Sequence, residues 1–505
     1  LDDADAAKRV LAATIAPLET AAPVPFRVKL YRKWRRRAER LERWEKKIEN
    51  GVLLRLRYPH YLNKPVREKV VLLETQQGRS MDGNVYALLC ELAKNDEYRD
   101  YSLYLTCLKE NRKRFKKQLT ALGMERVKLV VRNSIPYYKV LATAKYLIND
   151  TSFVYNFVKR EEQVYLNTWH GTPLKTLGKS VKGEAHTIGN VQKNLLAADY
   201  VLAPNEFTMR HMTEDYMLEN LSAGEFWLTG YPRNEVFFHK EEAEQLRKRY
   251  GLEGKKVYAF LPTWRGVVGG VSKKAQVNQL MTYFEGLDAG LPQEYVVYVK
   301  LHAFNGAEMD LTQFSHIRPF PTDCETYAFL AATDGLITDY SSVFFDYALT
   351  GKKILLFTYD EEEYEASRGF YMPLSELPFP IARKVEELLR LLKEEKNYED
   401  AAFLKQFCAY DRPDAAKAVC AKLLRGEDTG IQAVKLPENG KKNVVIYGGG
   451  LFNNGITSSL LNLLELVDRK KNNYTVLYKL EDVKKHPEVL SKLPEGVNSL
   501  GFTNG

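Results

Sequence analysis

The chain has 505 residues, 45% of them apolar and 28% charged, with 31 Gly and 20 Pro. This calls for at least two domains and excludes a lone small module, a collagen-like chain and wholesale disorder. The formal charge of +9 is localised, because residues 1–67 hold 17 Lys and Arg against 8 Asp and Glu while the remainder is balanced at 57 of each.

No run of 18 apolar residues and no basic-then-apolar leader occurs, so neither a bilayer-crossing segment nor a secretion signal is expected, and the protein is placed in the cytoplasm. Cys90, Cys107, Cys324, Cys408 and Cys420 stand without a CxxC or a Cys–His pair at metal spacing. Reduced structural thiols are expected, with no disulfide framework and no metal.

In chain order, the first element is an arm, residues 1–67. Trp34, Leu41, Trp44 and Ile48 recur at helical spacing among cations that include Arg35, Arg36 and Arg37. The pattern predicts a basic amphipathic helix lying on an anionic leaflet, cations toward the headgroups and indoles at the interface. A solvated connector helix and a nucleic-acid contact compete with it; the interleaving of Trp and Leu with the cations favours the membrane, and nucleic acid is not taken as a partner.

From residue 69, short apolar runs alternate with helical patterns: 69–74, 101–107, 127–131, 145–149, 164–169, 200–204 and 226–232. A charged helix near 240–250 separates these from a second series at 256–264, 295–302, 335–340 and 353–359. This is the rhythm of parallel α/β sheets, and it predicts two similar domains, 68–245 and 246–425, facing a cleft. Ligands collect beyond the carboxyl ends of such strands. There the sequence places NTWHGTP, TGYPRN, LPTWRG, VKLHAF and TDYSS. Residues 426–442 read as a linker, and 443–505 as the opening βαβ of a further domain. With about 60 residues remaining and Leu1 in place of Met, the sequence is expected to be a fragment.

Five constellations could carry chemistry. His170 ends a strand and precedes a Gly-Thr-Pro turn and Lys175, so it could take a proton from a hydroxyl while the turn and the lysine attract phosphate. His302 occupies an equivalent strand end in the second domain, and from the residues alone either histidine could be the base. Asp339, Ser341 and Ser342 lie where a strand passes into a helix, a setting for anion binding or for ordinary capping. Thr263 and Arg265 follow a strand and could face phosphate. Asn234, in the GYPRN turn, is a secondary candidate with Lys175. No P-loop, GxSxG elbow or HExxH helix is present, which points to transfer from a nucleotide-activated donor across a two-lobed cleft.

WHGTPLKTLG at 169–178, APNEF at 203–207, TGYPRNEVF at 229–237, PTWRG at 262–266, VKLH at 299–302, ITDYSSVFFDY and the downstream FTYDEEEYEASRGFY at 357–371 together resemble the CDP-glycerol glycerophosphotransferase family, the teichoic acid primases and polymerases. The resemblance covers roughly 68–425. It implies a glycosyltransferase B-type fold of two Rossmann-like domains, CDP-glycerol as donor substrate with no separate cofactor or metal, and a lipid-linked polyol-phosphate or glycan acceptor. With such an acceptor, the basic arm is expected to keep the enzyme peripheral on the cytoplasmic face of the membrane.

Carried over by position, the resemblance makes His170 the base and His302 a stabiliser of the pyrophosphate or leaving CMP. Thr263, Arg265, Ser341 and Ser342 fall at the donor phosphates, with Asp339 orienting that loop. Gly266 and the stretch TDCETY depart from the family's usual spelling, which leaves the polyol open. The last segment, NVVIYGGGLFNNGITSSLLNLL, resembles the start of a further glycosyltransferase B-type domain. A CDP-ribitol enzyme, another nucleotide-donor glycosyltransferase and a non-catalytic membrane adaptor are the competing readings.

Overall fold

A computed structural model describes residues 58–181, 187–263, 273–301 and 309–503. The arm residues Trp34, Arg35, Arg36, Arg37 and Trp44, and the candidates Arg265 and His302, lie outside the described residues.

The first apolar series forms strands β1 (Arg67–Glu74), β2 (Ser102–Cys107), β3 (Lys128–Val131), β4 (Ala144–Asn149), β5 (Val164–Asn167), β6 (Tyr200–Ala203) and β7 (Glu225–Leu228). They are parallel, in the order β7-β6-β5-β4-β1-β2-β3. Successive residues of β1 serve opposite faces: Val70 and Leu72 pack in one core, Val71 and Leu73 in the other. A sheet covered on both faces needs this continuous apolar text, and each such side chain contributes about 1.5–3 kcal/mol by burial. Tyr58, at the end of the basic arm, is also buried in the first of these cores.

The second series forms β8 (Lys256–Leu261), β9 (Tyr295–Val299), β10 (Ile317–Pro319), β11 (Gly335–Thr338), β12 (Lys353–Phe357) and β13 (Ile381–Ala382), again parallel, in the order β10-β9-β8-β11-β12-β13. Ile354 and Leu356 face one core, Leu355 and Phe357 the other. This mixed α/β architecture of two doubly covered sheets is the glycosyltransferase B-type organisation expected from the sequence.

The chain crosses between the sheets twice. It leaves the first near His239, since the helix Lys240–Arg249 is tied to the second sheet through Arg247 and Asp334. It returns between Cys408, buried in the second domain, and Ala416, buried in the first. The helix Ala415–Arg425, expected with the second domain, therefore packs through Val419, Cys420 and Leu423 on the first sheet. The stretch expected as a linker contains β14 (Gln432–Lys435), which adds to β7 antiparallel and closes that sheet at eight strands.

The final unit has three parallel strands, β15 (Lys442–Gly449), β16 (Asn472–Lys479) and β17 (Val497–Phe502), with the helix Gly455–Leu466. It rests on the first domain where Gln192 Nε2 donates to the Ser499 carbonyl at 3.0 Å.

Candidate functional site

Beyond β5 the chain turns sharply at Trp169, whose φ of +48° is rare for a bulky residue and has to be held by its surroundings. The Trp169 N–H donates to Asn167 Oδ1 at 2.9 Å. Asn84 Nδ2 donates to the carbonyls of Thr168 and Trp169, each at 3.3 Å. The indole lies against the imidazole of His170, ring centres 4.3 Å apart. The turn thus aims His170 outward from a rigid floor.

Nδ1 of His170 is 2.8 Å from the Asp150 carbonyl. A carbonyl only accepts, so Nδ1 carries the proton and Nε2 keeps its lone pair. The ring presents an open edge to the cleft, yet the protein crowded around it lowers its pKa below the ordinary 6.5 by burial, with the Arg233 charge acting the same way and the Asp150 carbonyl opposing. A neutral imidazole with one fixed tautomer is suited to accept a proton at neutral pH.

Arg233 locks this loop to the second domain. Its Nη1 donates to the His170 carbonyl at 3.0 Å and its Nη2 to Asp346 Oδ2 at 2.7 Å. The guanidinium lies between the rings of Tyr231 and Tyr327, 4.7 Å from each. Burial works against its charge, but Asp346 and then the two tyrosines outweigh it and raise the pKa. Tyr327 also donates to Asp346 at 2.8 Å, and Asn234 Nδ2 bridges Asp346 and Asp411 at 3.2 and 2.9 Å.

On the second sheet, Asp339 follows β11 and is fully buried. Its carboxylate accepts from the Thr263 N–H at 2.9 Å and from its neighbour Tyr340 N–H at 2.6 Å, which pins the end of β8 to the end of β11. Ser341 and Ser342 come next, half-buried, ahead of the helix Val343–Tyr347. A Cβ on Gly171 would stand 2.5 Å from Ser342 Oγ, so the His170 turn and the serine loop meet only because residue 171 is glycine.

The structure brings His170, Ser341, Ser342 and Thr263 to the facing carboxyl edges of the two sheets. Asp339 and Asn234 are buried; the Asp339 carboxylate and the Asn234 Nδ2 hold neighbouring loops, while Asn234 Oδ1 has no hydrogen-bond partner among the described residues. Lys175 stands in an inter-domain seam, bridged to Phe370 and 5.8 Å from the Tyr364 ring centre. Among the described residues no three His, Cys, Asp or Glu side chains gather as a metal site.

Sequence reasoning gave no role to Arg233, Asp346, Tyr327 or Asn84. One signal was available: Asp346 interrupts the apolar string VFFDYAL, and a carboxylate placed there must find a buried partner.

Residues 56–425 match the family described as CDP-Glycerol:Poly(glycerophosphate) glycerophosphotransferase. The chain is 29% identical over 380 residues to a teichoic acid poly(glycerol phosphate) polymerase of Bacillus spizizenii, covering 71% of this chain and 93% of that protein. It is 30% identical over 314 residues to the protein of that description in Staphylococcus epidermidis, where it spans only 43% of the relative's length and 57% of its own. Poly(ribitol-phosphate) polymerases match as well, one of them at 28% identity. A solved structure of the wall teichoic acid polymerase TagF superposes with a TM-score of 0.62 at 23% identity, over 80% of this chain and 99% of that one, a likeness of fold.

Proposed function

Because the chain belongs to the CDP-glycerol:poly(glycerophosphate) glycerophosphotransferase family, we propose that it transfers glycerol phosphate from CDP-glycerol to a hydroxyl of a teichoic-acid-like or capsular acceptor and releases CMP. The observation that carries this reading is His170: one nitrogen is fixed on the Asp150 carbonyl, the other carries a lone pair, and the serine loop of the facing domain stands against the same turn.

In the reaction the acceptor oxygen forms a bond to the glycerol-bearing phosphorus as the bond from that phosphorus to the bridging pyrophosphate oxygen breaks. The hydroxyl proton passes to His170 Nε2, and the electron pair of the broken bond leaves with CMP. Charge gathers on the phosphoryl oxygens, where the hydroxyls of Ser341 and Ser342 and fixed N–H groups stabilise it with little reorganisation. Thr263 belongs to the same donor side, with Asp339 holding its backbone in place. His302 and Arg265 take their donor-side roles from the family resemblance.

The acceptor is proposed to be lipid-linked and the enzyme peripheral on the cytoplasmic membrane face. The cation-rich arm supports this; no helix among the described residues is long and apolar enough to cross a membrane. Flotation with anionic vesicles tests it, and equal recovery on neutral vesicles would count against it. Transfer from CDP-ribitol is the second reading, favoured by the ribitol-phosphate polymerase relatives.

The test is CMP release from CDP-glycerol, with CDP-ribitol alongside, in the presence of a lipid-linked glycerophosphate primer. His170→Ala should lower turnover by about 10²–10⁴-fold. The wild-type kcat/KM should rise with pH through a midpoint below 6.5, because the neutral imidazole is the active form. Undiminished activity in His170→Ala removes the base assignment, release only from CDP-ribitol changes the donor, and no release from either donor leaves the non-catalytic adaptor.

A further inference from the structure

A growing acceptor carries one phosphodiester per repeat and has to leave the cleft along some surface. Along the carboxyl edge of the first sheet, the two sides of His170 differ in charge. Beyond β6 the helix Glu206–Asp215 exposes Glu206 and Glu214 against Arg210, while Asp215 is buried. Beyond β2 the chain carries Lys109, Arg112, Lys113, Arg114, Lys116 and Lys117 against the single carboxylate of Glu110. All six cations are exposed.

The helix Arg112–Ala121 is held by Phe115 and Leu119, both buried. At 100° per residue, Arg112, Lys113, Lys116 and Lys117 fall within about 140° of arc. Arg112 with Lys116, and Lys113 with Lys117, are like charges at i, i+4, which destabilise a helix. The first turn holds no acid, so its cations also oppose the helix dipole. None of the six cations forms an ion pair among the described residues. Local sequence that works against its own element marks a site where function overrides stability.

Hydrogen bonds tie this surface to the base. Arg114 Nη2 and Asn111 Nδ2 donate to the Arg79 carbonyl at 3.1 and 2.9 Å. Arg79, exposed, ends a tight loop in which Gln76, Gln77 and Gly78 all have positive φ. The Gln76 N–H donates to the Asp150 carboxylate at 2.9 Å, and the Asp150 carbonyl holds His170. Three strand spacings separate β5 from β2, on the order of 14 Å.

We infer that Arg79, Lys109 and the helix Arg112–Ala121 form a track that holds the phosphodiester chain of the acceptor as it leaves His170. The inference rests on the glycerophosphotransferase reading. A soluble polyanion fits this surface better than a leaflet does, because the large apolar side chains of the helix are turned inward, and at its end only Ala121 and Leu122, the latter at 36%, are exposed.

The test compares the wild type with Lys113→Glu/Lys116→Glu/Lys117→Glu and with the corresponding triple Gln variant. Binding of purified poly(glycerol phosphate) is followed by fluorescence anisotropy at two salt concentrations, and anionic vesicle binding by flotation. The wild type should bind the polymer with strong salt dependence, and the Glu variant at least tenfold more weakly with a shallower dependence. The Gln variant should lie between them, and vesicle binding should be the same for all three.

Equal polymer affinity in all three proteins overturns the inference. Loss of vesicle binding with polymer binding intact also overturns it and assigns the helix to the membrane. If the Glu variant does not fold, the Gln variant carries the comparison. CMP release by the wild type is measured in parallel: its absence defeats the transferase reading, while the polymer affinities still decide the track.

Discussion

Arg233 and Asp346 form a buried ion pair joining short helices from different domains, with each side chain below a tenth exposed. Removing one partner strands the other charge, so Arg233→Gln should cost about 3–5 kcal/mol of unfolding free energy. Arg233→Gln/Asp346→Asn should lose clearly less than the sum of the single variants; denaturant unfolding measures this, and strict additivity would show that the pair is not coupled. The contrast with His170 explains what a sequence discloses at this scale. His170 was legible because its setting, a strand end before Gly-Thr-Pro, is local. Arg233 was not, because its partner lies 113 residues away and only the fold brings the two together.

At the scale of elements, the glycine after His170 is a spacer between two loops. Gly171→Ala puts a methyl group 2.5 Å from Ser342 Oγ and 3.1 Å from Ser342 Cβ, so the Ser342 hydroxyl must turn away and its Cβ give by a few tenths of an ångström. CMP release should fall at least about tenfold, equivalent to about 1.4 kcal/mol of transition-state stabilisation, while the thermal midpoint moves only a few degrees. A variant with native activity would show that the loops separate freely. The long parallel strands were legible because continuous apolar runs between helical patterns have few other solutions. β10 and β13 were not, having three and two residues, too few for any period to register, and β14 was not because its four residues, QAVK, are mostly exposed and form no apolar run. The helix Ala415–Arg425 was assigned with the second domain and not with the first core, since order along the chain does not say which sheet an amphipathic face will cover.

For the whole molecule, several carboxyls hold protons that the unfolded chain would release. Burial raises Asp150 to about 6, and Glu235 and Asp411 to about 7. An unfolded carboxyl ionises near pH 4. Between those values the native state binds more protons, so these groups make stability fall as pH rises. Asp411→Asn keeps an acceptor for Asn234 and removes one such group, so its stability relative to wild type should improve between pH 5 and pH 8, read from urea midpoints. A difference that does not vary with pH would show that Asp411 is ionised throughout.

Asp411 lies on the return crossing, and with the crossing near His239 it leaves the two sheets joined by a pair of tethers. A body held at two points keeps one easy freedom, rotation about the line between them, as a book opens about its spine. Spreading the covers enough to part Gly171 from Ser342 works against the Arg233–Asp346 pair and against the backbone bridge from Lys175 to Phe370, both of which span the same gap. Opening the book therefore costs more than the serine contact alone.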